Sequence, residues 1–67
     1  MQLSTRNQIK GKITNLKKGP VSTEVTIDIG GQEMVSSITT TSADRMALAV
    51  GDSVTALVKA SSVMLGK

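Results

Sequence analysis

The chain has 67 residues, eight Lys+Arg against five Asp+Glu for a net charge of +3, and no Cys, His, Phe, Tyr or Trp. Disulfides, a structural zinc site with ordinary ligands, and nucleophilic or acid–base catalysis by Cys, His or Tyr are thereby excluded. Apolar runs fall far short of the ~20 residues that cross a bilayer, and no apolar core follows a basic amino end, so the chain reads as one soluble, cytoplasmic, non-enzymatic domain over residues 1–67.

From Ile9 to Leu65 the apolar residues recur mostly at alternate positions, the period of a strand with one buried face. In the first strand Ile9, Gly11 and Ile13 share a face opposite Lys10, Lys12 and Thr14. Leu16 breaks that parity and predicts a bulge near Asn15. Gly19-Pro20 marks a turn. Val21, Thr23, Val25, Ile27 and Ile29 then alternate with Ser22, Glu24, Thr26 and Asp28, and Gly30-Gly31 closes this second strand as a hairpin. Met34, Ser36 and Ile38 make the third. The hydroxyl run Thr39-Thr40-Thr41-Ser42 leads into the only helix candidate, Ala43 to Leu48, with Thr41 and Asp44 at the spacing of a capping box. After a turn at Gly51-Asp52, Val54, Ala56, Val58 and Ala60 share a face, while Leu57 points the other way and hints at an interface. Val63-Met64-Leu65 is predicted as a last short strand. The fold class is all-β: five strands with one helical turn between the third and fourth is the element order of a small OB-like barrel, a closed sheet with few free edges.

A core of Val, Ile, Leu, Met and Ala alone in a chain below ~70 residues rarely supplies more than about 3–5 kcal/mol. With disulfide and metal excluded, association with further copies is the stabilising device that remains.

Three polar clusters stand out: Ser4-Thr5-Arg6-Asn7, Thr39 to Ser42, and Lys59-Ala60-Ser61-Ser62. A tetrahedral oxyanion is held by positive charge, hydroxyl donors and free backbone N–H groups, and each cluster supplies part of that set. Arg6 offers a fixed fork of donors and Lys59 a point charge, so together they balance a dianion. The same residues also have structural readings as solvated surface charges, a helix cap at Thr41-Ser42 and a turn at Ser61-Ser62. A nucleic-acid-binding OB module is the alternative. It is disfavoured because such modules stack bases on aromatic side chains, of which there are none, and Lys10, Lys12, Lys17 and Lys18 read better as solubilising strand lysines.

The opening Ser4-Thr5-Arg6-Asn7 with Ile9-Lys10-Gly11-Lys12-Ile13, then Gly19-Pro20-Val21-Ser22-Thr23-Glu24-Val25, Ile38-Thr39 through Ser42, and Val58-Lys59-Ala60-Ser61-Ser62-Val63-Met64 together resemble the molbindins, small molybdate-binding proteins of the Mop-domain type. The resemblance implies a homo-hexamer, a trimer of dimers, holding molybdate or tungstate at subunit interfaces, with no catalytic cofactor and no directly ligated metal cation. Carried over residue by residue, the interface site falls on Ser4, Arg6, Lys59 and Ala60 of one subunit, with Thr39 and Ser42 from a neighbour and Ser61 as an addition. A second oxyanion site falls on Gly19, Val21 and Ser22. There the family often reads Gly-Ala-Val-Asn, whereas this chain reads Gly-Pro-Val-Ser and Pro20 has no N–H to donate. The expected function is cytoplasmic binding, storage or buffering of these oxyanions.

Overall fold

The computed structural model describes residues 2–67. It contains strands β1 (Asn7–Lys18), β2 (Ser22–Asp28), β3 (Glu33–Thr39) and β4 (Ser53–Val58), with helix α1 (Thr40–Arg45) between β3 and β4 and a 3-10 turn at Ala60–Ser62. The strands form one antiparallel sheet in the order β3-β2-β1-β4.

Register follows the apolar alternation. Ile13 lies opposite Ile27 and Leu16 opposite Val25, and the step between Ile13 and Asn15 is a one-residue irregularity in β1. That bulge returns Leu16 to the inner face, as its parity demanded. Ile13, Val25 and Ile27 form the buried centre, with Leu16, Ile29, Ile38, Leu48, Val54 and Ala56 packed around it. The β2–β3 hairpin turns at Gly30 and Gly31, both at positive φ (97° and 93°), while the Ile29 N–H donates to the Gln32 carbonyl across them. Two consecutive positive φ angles are what a primed hairpin turn requires and what glycine supplies without steric cost. Asp28 Oδ1 accepts from both glycine N–H groups.

Gly11 has a different reason. A Cβ built there would lie 2.5 Å from Ile27 Cγ2 and 2.6 Å from the Asp28 carbonyl oxygen. A side chain can give way, but the sheet backbone cannot do so cheaply. Gly11→Ala is therefore expected to cost about 1–3 kcal/mol, read as a lowered denaturation midpoint at matched protein concentration.

Three expectations are corrected here: the helix start with its cap, the strand count and the closure of the sheet. The helix begins at Thr40, not Ala43, and its cap is Thr39, whose hydroxyl accepts from the Ser42 N–H at 3.1 Å. Thr41 is an exposed helical residue and not the cap. The described residues form four strands, not five, because Val63-Met64-Leu65 pairs with none of them. Ala60–Ser62 winds into a 3-10 turn, with Ser62 N–H on the Lys59 carbonyl and Val63 N–H on the Ala60 carbonyl. Beyond it Val63 is extended (φ −90°, ψ 119°), and Met64 and Leu65 are 92% and 95% exposed. A strand exists only through its ladder partner, and alternation in sequence does not provide one. The sheet is curled with β3 and β4 as its edges, so it is an open arrangement and not the closed barrel expected.

The core is thin. Among the apolar side chains of the described residues only Ile13, Val25, Ile27 and Ala43 are buried, while nine large ones are exposed, including Val21, Val35, Leu57, Met64 and Leu65. Val21 was expected on the inner face of β2, but it precedes the strand and is 77% exposed.

Candidate functional site

The antiparallel pairing of β1 with β4 decides where two of the polar clusters meet. Asn7 lies opposite Val58, so Arg6 and Lys59 follow one step beyond the last pair at the same end of the sheet. Arg6, Asn7, Val58 and Val63 border one shallow pocket there. Ser4, Arg6, Lys59, Ala60 and Ser61 are all exposed. Among the described residues the ion pair is Lys18 with Asp44, so no carboxylate engages Arg6 or Lys59. Two like charges on neighbouring strand ends repel, and an anion between them relieves that repulsion. The 3-10 turn starting at Ala60 adds amides of the kind that have no partner inside a first helical turn.

Thr39 and Ser42 lie elsewhere. Lys18, at the other end of β1, pairs with Thr23, and Ser22 pairs with Thr39. The 12 residues of β1 separate this group from Arg6, about 40 Å of strand contour at ~3.3 Å per residue. One chain thus holds two partial clusters at opposite ends of its longest strand and brings neither to the other.

At the second cluster the hydroxyl hydrogens can be assigned. Thr39 Oγ1 accepts from the Ser42 N–H and donates to Ser42 Oγ at 2.8 Å. The Thr39 hydrogen is therefore spent, whereas Ser42 Oγ, which accepts here, keeps its own hydrogen free. Ser42 is the donor of the pair and Thr39 orients it.

Thr40, part of the hydroxyl run but not among the residues assigned to the site, holds this cluster to the β1–β2 turn. Its N–H donates to the Val21 carbonyl at 2.8 Å and its hydroxyl to the Gly19 carbonyl at 2.6 Å. A carbonyl only accepts, so the 2.8 Å contact between Thr23 Oγ1 and Thr40 Oγ1 is donated by Thr23. Among the described residues Thr23 is the one buried polar residue, 1% exposed. The signal in the sequence was Thr23 itself, a hydroxyl on the inner face of an otherwise apolar strand.

The Gly19, Val21 and Ser22 group is altered by the same turn. The Gly19 N–H donates to the Ser22 carbonyl at 2.9 Å, so it is not a free donor in this arrangement, and Pro20 has none. Val21 and Ser22 remain exposed. Among the described residues no three Asp or Glu side chains gather as cation ligands, and no helix is long and apolar enough to cross a membrane.

Comparison with known proteins accounts for nearly the whole chain. The TOBE domain model matches residues 3–65. The chain is 42% identical over 66 residues to molybdenum-pterin-binding protein 2 of Clostridium pasteurianum, covering 97% of each. It is 47% identical over 66 residues to the molybdenum transport protein ModE of Herbaspirillum seropedicae, but spans only 24% of that protein. A molybdate-binding protein from Sporomusa ovata superposes with a TM-score of 0.96 at 37% identity over 100% of both chains. With a matching domain model, a relative aligned end to end and the same all-β architecture, the chain belongs to the TOBE-domain family as a protein of the molbindin type.

Proposed function

We propose that this protein binds molybdate, or its near-isostere tungstate, at interfaces between copies of itself, and serves to store or buffer the oxyanion in the cytoplasm without catalysing a reaction. The observation that carries the reading is the full-length superposition on the Sporomusa ovata molybdate-binding protein. The geometry supports it from below. Arg6 and Lys59 form a cationic half-cluster, Ser42 a donor half-cluster, and the two are separated within one chain, so a complete site joins two subunits. The exposed apolar residues and the unpaired segment 63–65 supply the surface by which subunits associate. A homo-hexamer, a trimer of dimers, is the assembly proposed. Elemental analysis of protein purified from its native source tests the reading: molybdenum or tungsten at a fixed ratio to subunit is expected, and neither metal above background would refute it.

Selectivity follows from the donor set. Molybdate and tungstate are expected to bind strongly and sulfate weakly, although all are tetrahedral dianions near neutral pH. The shorter bonds of sulfate leave some fixed donors out of reach, at about 1–3 kcal/mol for each buried donor left unmet. Phosphate keeps a proton that needs an acceptor, and the carboxylate nearest Ser42 in sequence, Asp44, is paired with Lys18. Competition against bound molybdate checks this, since equal displacement by sulfate would mean a general anion surface.

A further inference from the structure

We propose that Thr40 is a positioning residue of the oxyanion site: it touches no ligand, and it sets the direction of the Ser42 hydroxyl by anchoring the amino end of α1 to the β1–β2 turn. The inference rests on the molybdate reading above. Helix α1 has six residues, too few to hold its own place by helix propagation, so its placement comes from tertiary contacts: buried Ala43, the Asp44–Lys18 ion pair and what its first residue grips. That residue is Thr40, and it makes three bonds at once: N–H to the Val21 carbonyl, hydroxyl to the Gly19 carbonyl, and acceptance from the Thr23 hydroxyl.

The chain of donors has one sense. Thr23, 1% exposed, donates to Thr40, and Thr40 donates to Gly19, so every hydroxyl hydrogen in this arm points into the protein. In the adjoining arm Thr39 donates to Ser42, which leaves the Ser42 hydrogen unused by that bond and open to another acceptor. The two arms meet at the peptide joining Thr39 to Thr40. Rotation of Thr40 would therefore carry the Thr39 cap with it and re-aim the Ser42 donor, and the inner arm resists this because Thr23 would be left with an unmet buried hydrogen. The Gly19 to Ser22 turn is held by the same residue, so Thr40 is the common support of two groups that the sequence presents as separate.

Calorimetric titration of the intact, assembled protein with sodium molybdate tests the proposal. Thr40→Val keeps the shape and removes the hydroxyl, and is expected to weaken binding about tenfold, while Thr40→Ser restores it to within about twofold. Because Thr40 acts through Ser42, Thr40→Val should change affinity by less than about twofold in a Ser42→Ala background. A general loss of stability would lower affinity equally in both backgrounds, and that outcome overturns the proposal, as does parental affinity in Thr40→Val. If Thr40→Val does not assemble, Thr23→Val removes only the donor into Thr40. A loss of about threefold that vanishes in the Ser42→Ala background is then expected, and unchanged affinity overturns the inference. Failure of the unsubstituted protein to bind molybdate would refute the underlying reading and the inference with it, whereas parental binding with no Thr40 or Thr23 effect would refute the inference alone.

Discussion

Arg6→Ala and Lys59→Ala are each expected to weaken molybdate binding by about 2–5 kcal/mol, the cost of removing one partner of a buried charge-assisted contact. At about 1.4 kcal/mol per decade this is a loss of roughly thirtyfold to several thousandfold in affinity. The size of the effect carries the argument. In the single chain both residues are exposed, and a contact made by exposed charges is worth only ~0–1 kcal/mol because solvent screens it and long side chains resist ordering. A loss at the upper value therefore requires that a second subunit cover the Arg6–Lys59 end of the sheet. Arg6→Lys should weaken binding too, since lysine keeps the charge and loses the planar fork. Titration calorimetry on variants shown to remain assembled reads these effects, and parental affinity in both alanine variants would place the anion elsewhere.

The second large effect concerns assembly. Light scattering at micromolar concentration is expected to report an oligomer, with six times the 7.0 kDa chain mass as the proposed value. A stable folded monomer would remove the basis for sites shared between subunits. The tail gives this prediction a local test. Burying a fully exposed Met or Leu contributes about 1.5–3 kcal/mol, and Met64 and Leu65 are 92% and 95% exposed. If partner subunits cover them, Met64→Asp with Leu65→Asp removes that contribution in every subunit and adds the cost of burying charge, so the assembly should dissociate to smaller species at the same concentration. An unchanged mass would mean that the tail stays in solvent and that other exposed residues, Val35 and Leu57 among them, make the contact.

How much of this was legible in the residues themselves can be judged element by element. The β1 bulge was legible because a parity break between Ile13 and Leu16 admits one local solution once both must face the core. The β2–β3 hairpin was legible because Gly30-Gly31 is chemistry that a primed turn demands. The cap was misplaced by two residues because Thr39 through Ser42 all carry hydroxyls, and which one closes on an amide depends on where β3 ends. That endpoint comes from pairing with Ser22, a contact remote in sequence.

Amino-acid sequence by itself determined the strand alternation, the absence of disulfide, zinc-ligand and aromatic chemistry, and which residue types could hold an oxyanion. Those are properties of composition and period, set locally and independent of what lies across the sheet. Tertiary structure alone decided that the Gly19 N–H is spent inside its own turn, that Thr40 is the anchor of the hydroxyl run, and that the residues after Ser62 form no strand. Apart from the Gly19 N–H, which closes on Ser22 within the turn, each of these depends on a partner remote in sequence or absent from the chain, and a hydrogen bond or a ladder is specified only when both of its ends have been placed.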